Sequence, residues 1–161
     1  MLSYQPKGLL LDSNLLVLLI IGSLEAKRIE TFRRTRNQGF TQQDYLLLQR
    51  VSVAFAKMVT TPHILTETVN FVRELDGHVG DSALQLTSKL IQCFKERRPE
   101  SKKLVQSDFF PRFGLTDTAI LDLPPKKYLV LSVDAPLVIA LQKKGIHAIN
   151  FNHIRQTNWQ Q

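Results

Sequence analysis

The sequence predicts a single α/β domain in which helices cover both faces of a central parallel sheet. Short apolar runs alternate with longer stretches of helical periodicity, an order that is typical of βαβ units. The short runs are almost continuously apolar, as expected for strands that are buried on both faces. The 161 residues contain no repeat or linker, and a chain of this length can bury one core. We therefore predict one domain over residues 1–151 and a polar tail over residues 152–161.

In the first half of the chain, strands are predicted where apolar runs stop at turn-forming or helix-capping residues. Leu9–Leu11 stops at Asp-Ser-Asn, residue types that favour turns and helix N-caps. Thr61-Pro62 supplies an N-cap followed by proline at the first helical position. The predicted elements of this half are a strand at Leu9–Leu11, helices at about 15–24, 25–36 and 42–57, a strand at Met58–Thr60 and a helix at about 62–75.

In the second half, glycines and prolines separate the predicted elements. Pro124-Pro125 ends one helix, and Gly145 closes another. A largely apolar strand stops at Asp134. The predicted elements of this half are helices at about 82–98 and 117–121, a weak strand at 102–107, a strand at 128–133, a helix at 135–144 and a strand at 146–151.

The most apolar segment, residues 8–24, is predicted to be a strand and a buried helix, neither a signal peptide nor a membrane span. Asp12 interrupts it, and the apolar run Leu15–Ile21 is far shorter than the ~20 residues that a span needs. A carboxylate in lipid would be costly, and no small-residue cleavage site follows. We therefore expect no membrane partner and a cytoplasmic location. The single cysteine, Cys93, fits a reducing cytosol and is predicted to be buried among apolar neighbours.

The chain has a net charge of +7, and such an excess of positive charge favours polyanionic partners such as nucleic acids. The basic residues occur in two clusters. The clusters consist of Lys27, Arg28, Arg33, Arg34 and Arg36, and of Lys95, Arg97, Arg98, Lys102 and Lys103. Because charged runs are also common on solvated surfaces, they indicate a phosphate ligand only in combination with a site that attracts phosphate.

Four carboxylates lie in otherwise apolar surroundings. Asp12 and Asp134 each follow a predicted strand. Because parallel strands bind ligands at their carboxyl ends, these two side chains are expected at the functional edge of the sheet. Glu67 lies within a predicted helix and Asp117 precedes one. Taken alone, the aspartates also suit capping or turn positions, and the glutamate suits a solvated helix position.

The negative charge of a carboxylate beside a core segment needs a compensating positive charge, because burying an unpaired charge is costly. A divalent cation provides it, since Mg²⁺ prefers oxygen ligands and bridges carboxylates to phosphate. The expected chemistry is attack of metal-activated water on a phosphodiester. A zinc site is disfavoured because one cysteine and scattered histidines do not supply the usual tetrahedral set. No glycine-rich phosphate-binding motif is present either.

The four carboxylates lie in segments with a recognisable order. The segments are Leu9–Asn14, Thr61–Val69, Gly114–Leu121 and Leu131–Leu137. They are an opening strand with an Asp-x-Asn turn, a helix that carries glutamate after proline, an aspartate that begins a helix, and a strand that ends in aspartate. Together they resemble the motifs of the PIN-domain nucleases, a family that includes toxins of bacterial toxin–antitoxin pairs. The resemblance covers nearly the whole chain.

This resemblance implies a three-layer PIN-like fold and a metal-dependent endoribonuclease that acts on RNA, with one or two Mg²⁺ or Mn²⁺ ions as cofactors. It also implies an antitoxin protein and a second copy of the chain as partners. The implied catalytic residues and metal ligands are Asp12, Glu67, Asp117 and Asp134. The implied supporting residues, which would orient carboxylates or water, are Asn14 and Ser132. With RNA as the substrate, the candidate backbone contacts are Arg28, Arg33, Arg34 and Arg36.

Two departures from the family pattern keep other functions open. Many relatives have an acidic or asparagine residue just after the last aspartate, where this chain has Ala135-Pro136. This departure supports an alternative, a PIN-like RNA-binding or scaffold module with little or no catalysis. The stretch over residues 25–57 is also longer and more basic than in compact relatives, which leaves the choice of substrate open. A nuclease that cuts DNA or structured flaps is the third hypothesis.

Overall fold

The computed structural model of the protein describes residues 6–160. Residues 1–5 of the predicted domain and Gln161 of the predicted tail lie outside this range. The strands are β1 (Leu9–Leu11), β2 (Met58–Thr60), β3 (Lys95–Glu96), β4 (Leu129–Ser132) and β5 (His147–Asn150). The helices are α1 (Ser13–Glu25), α2 (Arg33–Asn37), α3 (Gln42–Val53), α4 (Pro62–Val72), α5 (Gly77–Cys93), α6 (Ser101–Leu104), α7 (Phe110–Leu121), α8 (Ala135–Lys143) and α9 (Phe151–Trp159), with a 3-10 helix at Ala26–Glu30.

The five strands form one parallel sheet in the order β3-β2-β1-β4-β5. The central strand is β1, in which Leu10 pairs with Val59 of β2 on one side and with Val130 of β4 on the other. The chain leaves β1 towards β2 and β3, and later returns to the other side of β1 as β4. The boundary between β1 and β4 is therefore the topological switch point, where α/β sheets bind ligands at the carboxyl ends of their strands.

The helices form a layer on each face of the sheet. Right-handed crossovers assign α1 to α5, which connect β1, β2 and β3, to one face. The same rule assigns α6 to α8, which connect β3, β4 and β5 in the opposite direction, to the other. The contacts agree with this assignment, because α1 packs against α3, α4 and α5, whereas α7 packs against α6 and α8. The predicted fold class, a three-layer α/β domain with a central parallel sheet flanked by helices, is confirmed.

Helix α1 is the helix most deeply buried against the sheet. Apolar residues surround almost its whole circumference. Gly22 allows α3 to approach it closely, since a Cβ atom at this position would lie 2.1 Å from Cδ2 of Tyr45. The hydroxyl groups of Ser23 and Tyr45 form a hydrogen bond at the same contact. Within residues 6–160, neither α1 nor any other helix has the length and apolar character that a membrane span requires.

Three local predictions are wrong in the middle of the chain. The predicted strand at 102–107 is instead the short helix α6, and the strand of this region is Lys95–Glu96, which had been assigned to a helix. This strand lies at the edge of the sheet, is only two residues long and consists of charged residues, so it has no apolar pattern to detect. Cys93 is exposed rather than buried, because it ends α5 on the side that faces away from the core.

Residues 151–159 form helix α9, which the sequence pattern did not predict. Asn150 caps it by accepting a hydrogen bond from the backbone N–H of Asn152. Arg155 attaches the helix to the domain, because its guanidinium donates to the carbonyl of Gly39 at 3.2 Å and lies 3.5 Å from the buried carboxylate of Asp44. The guanidinium also lies over the ring of Phe40. Contacts with residues more than one hundred positions away in the chain therefore hold this helix in place.

Candidate functional site

Asp12 connects the two strands on either side of the switch point. It follows β1 directly and caps α1, because its Oδ1 accepts a hydrogen bond from the backbone N–H of Leu15 at 2.9 Å. Its Oδ2 accepts from the backbone N–H of Val133, just beyond β4, also at 2.9 Å. The residue is only 6% exposed. Backbone N–H groups thus occupy one lone pair on each oxygen of this carboxylate.

The pKa of Asp12 is raised above its ordinary value because burial disfavours the charged form. Hydrogen bonds oppose this effect, first from the hydroxyl of Ser132 and then from the backbone at Leu15 and Val133. The carboxylate of Asp134 raises the pKa further. Ser132 is fully buried and also accepts a hydrogen bond from the backbone N–H of Asp134 at 3.0 Å. The hydroxyl of Ser132 thus lies between the two aspartates that follow the central strands.

Asp134 is exposed and caps α8, since its Oδ1 accepts from the backbone N–H of Leu137 at 3.0 Å. Two of the four carboxylates, Asp12 and Asp134, are therefore helix N-caps, which was one of the interpretations that the sequence left open. Capping and ligand binding are compatible, because a carboxylate that accepts one hydrogen bond from a backbone N–H still has other lone pairs available. Both aspartates lie at carboxyl ends of neighbouring strands.

Asp117 lies in α7, three residues after a kink at Gly114, where φ is 73° and the helix is interrupted. It is half-buried and is not a capping residue. Burial raises the pKa of Asp117 to about 7, and the nearby carboxylates of Asp134, Asp12 and Glu67 add to the increase in that order. The electrostatic coupling to all three means that the fold gathers the four predicted carboxylates into one acidic region.

Glu67 reaches this region from α4. Its Oε2 accepts a hydrogen bond from the hydroxyl of Thr116 at 3.0 Å, which joins the middle of α4 to the residue before Asp117. The two side chains line a groove of about 370 Å³ on the outer side of the acidic region. The groove is lined by Pro62, His63, Thr66, Glu67, Asn70, Leu115 and Thr116. Thr116 was not among the predicted site residues, because a threonine beside a helical aspartate has no distinctive sequence signal.

The donor set of the acidic region fits a hard divalent cation, since all four side chains are carboxylates and no cationic side chain is among the causes of the raised pKa of Asp117. However, within residues 6–160 no three Asp, Glu, His or Cys side chains are arranged to hold a metal ion together. The carboxylates are close enough to repel one another but not close enough to share an ion as they stand.

Two asparagines lie near the acidic region. Asn14, a predicted supporting residue, is half-buried in the first turn of α1, two positions after Asp12. Asn152 was predicted to belong to the tail, but its Nδ2 lies 3.4 Å from the carbonyl oxygen of Val133. This contact places a second amide beside the end of β4. Only the path of β5 and α9 reveals it.

Arg28 lies at the opposite end of α1 from the carboxylates. The helix begins directly after Asp12, and its 13 residues span about 20 Å. Arg28 follows the helix and pairs with Glu25 at 2.6 Å. The structure therefore does not bring this predicted RNA contact together with the acidic region.

Arg33 and Arg34 are also remote, because both pair with Glu74, which follows the end of α4 that points away from the site. Arg33 Nη2 lies 3.0 Å from this carboxylate, and the guanidinium of Arg34 lies 4.0 Å from the ring centroid of Phe71. Arg36 is exposed and has no ion pair within the described part of the chain. A role of these arginines in RNA binding remains a prediction.

Comparison with known proteins adds no family to this description. No protein-family profile matches the chain, and no curated protein matches it significantly. The resemblance to PIN-domain nucleases therefore rests on the four acidic segments alone.

Proposed function

We propose that the protein is a metal-dependent endoribonuclease that hydrolyses RNA phosphodiester bonds at its acidic region. The observation that carries the proposal is geometric, because Asp12 and Asp134 cap helices at the carboxyl ends of the neighbouring strands β1 and β4. Their charges, together with that of Glu67, also raise the pKa of Asp117. Three carboxylates from separate segments thus influence the carboxyl group of Asp117 near the switch point of the parallel sheet. Such an arrangement is electrostatically unfavourable by itself and is common where function requires it.

Two of the carboxylates follow strands and cap helices, and the other two extend from within helices. Backbone N–H groups hold the carboxylates of Asp12 and Asp134, and the hydroxyl of Ser132 lies between them. Asp117 and Glu67 would complete the site from the helix side, with the hydroxyl of Thr116 orienting Glu67. A bound Mg²⁺ or Mn²⁺ would supply an activated water and neutralise charge on the phosphodiester. Because the pKa of Asp117 is about 7, its carboxyl group releases a proton near neutral pH when it becomes a ligand.

The test is cleavage of labelled single-stranded and structured RNAs in Mg²⁺, Mn²⁺ or EDTA. Asp117→Asn is the informative variant, because Asp117 caps no helix and its loss leaves the backbone hydrogen bonds intact. Asp122→Asn is the matched control, since Asp122 ends the same helix and pairs with Lys103 on the surface. We expect metal-dependent cleavage that is lost in Asp117→Asn and retained in Asp122→Asn. Cleavage that persists in EDTA, or equally in both variants, would contradict the proposal.

The absence of a preformed three-ligand group among the described residues favours a second candidate, a PIN-like RNA-binding or scaffold module without catalysis. Ala135 and Pro136, which stand where many relatives of the resembled family have a polar residue, favour it as well. On this alternative, folded protein binds RNA and cuts none of the substrates in any metal. Substitution of Asp117 then leaves RNA affinity unchanged or increased, because a negative charge is removed.

The resemblance to PIN-domain nucleases is the only basis for three further parts of the proposal, namely a toxin role, an antitoxin protein and a homodimer. A gene for a small antitoxin beside the gene for this chain would support the toxin role. Sedimentation of the purified protein would test the homodimer.

A further inference from the structure

Helices α7 and α8 form an open groove beside the acidic region. Its volume is about 660 Å³, within the range of about 300–1,000 Å³ that is usual for small-molecule sites. Phe109 and Phe113, at the start of α7, contribute aromatic rings to its lining, and Pro136 and Ile139 of α8 contribute aliphatic side chains. Ile139 is 51% exposed. A concave surface that exposes aromatic and aliphatic groups together is typical of a binding site.

The groove is continuous with the acidic region on both of its helices. On α8, Ala135 lines the groove and directly follows Asp134. Both residues are exposed, and the Cα atoms of consecutive residues are only about 3.8 Å apart. On α7, Phe113 lines the groove, and Asp117 follows it by four positions, beyond the kink at Gly114. The exposed surface therefore runs from Asp134 directly into the groove.

Cations without carboxylate partners accompany the apolar lining. Arg112 and Lys143 line the groove, are exposed, and form no ion pair among residues 6–160. The guanidinium of Arg112 lies over the ring of Phe113, 5.0 Å from its centroid. Aromatic rings and guanidinium groups are both surfaces on which RNA bases stack, and exposed cations bind the phosphates. The groove therefore combines the two kinds of contact that a nucleotide makes.

One carboxylate, that of Asp108, also lines the groove. It is exposed and belongs to no ion pair within the described part of the chain. A carboxylate repels phosphate but accepts hydrogen bonds from the amino groups of bases. Its presence beside the aromatic rings therefore favours a base inside the groove, with the phosphates towards Arg112 and Lys143. An acidic peptide would meet the same repulsion without a base to offset it.

We propose that this groove binds a nucleobase of the RNA next to the phosphodiester at the acidic region, stacked on Phe113 and Arg112. The identity of the ligand as RNA rests on the proposed function. The phosphate of the bound nucleotide accepts charge-assisted hydrogen bonds from the exposed cations. Unpaired bases are free to stack on side chains, and every base has a face for stacking. The groove therefore positions the strand and leaves its sequence largely free.

The test compares two fluorescein-labelled single strands of equal length, an RNA and an oligomer with abasic sites, by anisotropy in EDTA, where the proposed cleavage does not occur. Both strands have the same phosphates, so the ratio of their affinities measures the contribution of the bases. We expect the native protein to prefer the strand with bases by about tenfold or more.

Phe113→Leu is expected to bring this preference close to one, because leucine keeps much of the apolar bulk but has no face for stacking. Phe55→Leu is the matched control. Phe55 is also a partly buried phenylalanine packed against the core, but it follows α3 in the other layer of helices. The control is expected to keep the preference of the native protein.

A second pair of variants does not alter the partly buried rings. Ile139→Glu places a negative charge inside the groove, and Val53→Glu places the same charge at the end of α3. These side chains are 51% and 78% exposed, so both variants should fold. We expect Ile139→Glu to bind RNA about tenfold more weakly, because the stacked base is displaced. The loss for Val53→Glu should be much smaller.

Two results would overturn the proposal. One is a preference for bases that is the same in Phe113→Leu and Phe55→Leu, and the other is an equal RNA affinity of Ile139→Glu and Val53→Glu. A third result would reassign the groove. If Ile139→Glu converts a dimer into a monomer in sedimentation and binds RNA as the native protein does, the groove is an interface between two copies of the chain.

The base site and the proposed function fail separately in these measurements. A preference for bases that depends on Phe113, with no cleavage in any metal, would refute the nuclease and leave the base site standing. Cleavage that requires Asp117, with RNA affinity independent of Phe113 and Ile139, would refute only the base site.

Discussion

The carboxylate of Asp12 accepts a hydrogen bond from the backbone N–H of Val133 at 2.9 Å, across the switch point of the sheet. The same carboxylate caps α1 through Leu15. One side chain thus fixes the start of the central helix and the relative position of β1 and β4. The candidate site and the stability of the fold depend on the same group, so loss of activity at Asp12 alone cannot be attributed to chemistry.

Asp12→Ala is expected to lower the free energy of unfolding by about 1–3 kcal/mol, because a cap is lost and the N–H of Val133 is left without its acceptor. Asp134→Ala, which loses one cap at an exposed position, is expected to cost about 1 kcal/mol or less. Urea unfolding of the two variants measures the difference. Equal stabilities would show that the bond to Val133 contributes nothing measurable.

Asp117→Asn is expected to stabilise the metal-free protein at alkaline pH. The pKa of Asp117 rises on folding from 3.8 to about 7, so the folded state holds a proton that the unfolded state releases. The stability associated with this proton is present below the lower value and is lost as the pH rises through about 7. The side chain of asparagine stays neutral, so the Asp117→Asn protein does not lose this stability as the pH rises.

Thermal unfolding in EDTA checks this expectation. The Tm of Asp117→Asn should exceed that of the native protein by about 3–6 °C at about pH 8, and the gain should shrink towards about pH 5. Asp122→Asn serves as the control on the same helix. A gain that is the same at both pH values would mean that the pKa of Asp117 is not raised.

Thr116→Val is expected to reduce RNA cleavage by about tenfold or more, because removal of the hydroxyl releases Glu67 from its oriented position. The substitution retains the branched shape of the side chain, so the fold should remain. Thr157→Val, a surface change on α9, is the control. If RNA cleavage by Thr116→Val equals that of the native protein, the hydrogen bond to Glu67 has no role in the reaction.

Gly22→Ala is expected to destabilise the protein by about 1–3 kcal/mol through overpacking. The usual gain from replacing glycine in a helix, roughly 1 kcal/mol, is outweighed because the added Cβ would lie 2.1 Å from the ring of Tyr45. Unfolding in urea measures the change. Tyr45→Leu in the Gly22→Ala background should recover part of the loss, and a Gly22→Ala protein of increased stability would show that α3 shifts freely.

The sequence by itself determined the elements that have local signals. Strands β1 and β4 are apolar runs that end at capping aspartates, and α4 begins with a capping threonine and a proline. Apolar periodicity and capping act over a few residues, so they can be read without knowledge of the fold. The alternation of strands and helices along the chain predicts the parallel α/β class. Asp12, Glu67 and Asp134 were found for the same reason, since each lies beside or within one of these elements.

The tertiary structure decided the features that depend on distant partners. Strand β3 has no apolar pattern and is defined by its pairing with β2. Helix α9 is held by contacts of Arg155 with Gly39, Asp44 and Phe40.

The same distinction separates the two groups of cations. Proximity in sequence grouped Arg28 with Arg33 and Arg34, but the length of α1 keeps them from the acidic region. By contrast, Arg97 and Lys127 lie far apart in the sequence, but both are close to the ring of Tyr128, at 6.0 and 5.4 Å from its centroid. Charge clusters are spatial properties, and in this protein hydrogen bonds between strands far apart in sequence determine which charges are neighbours.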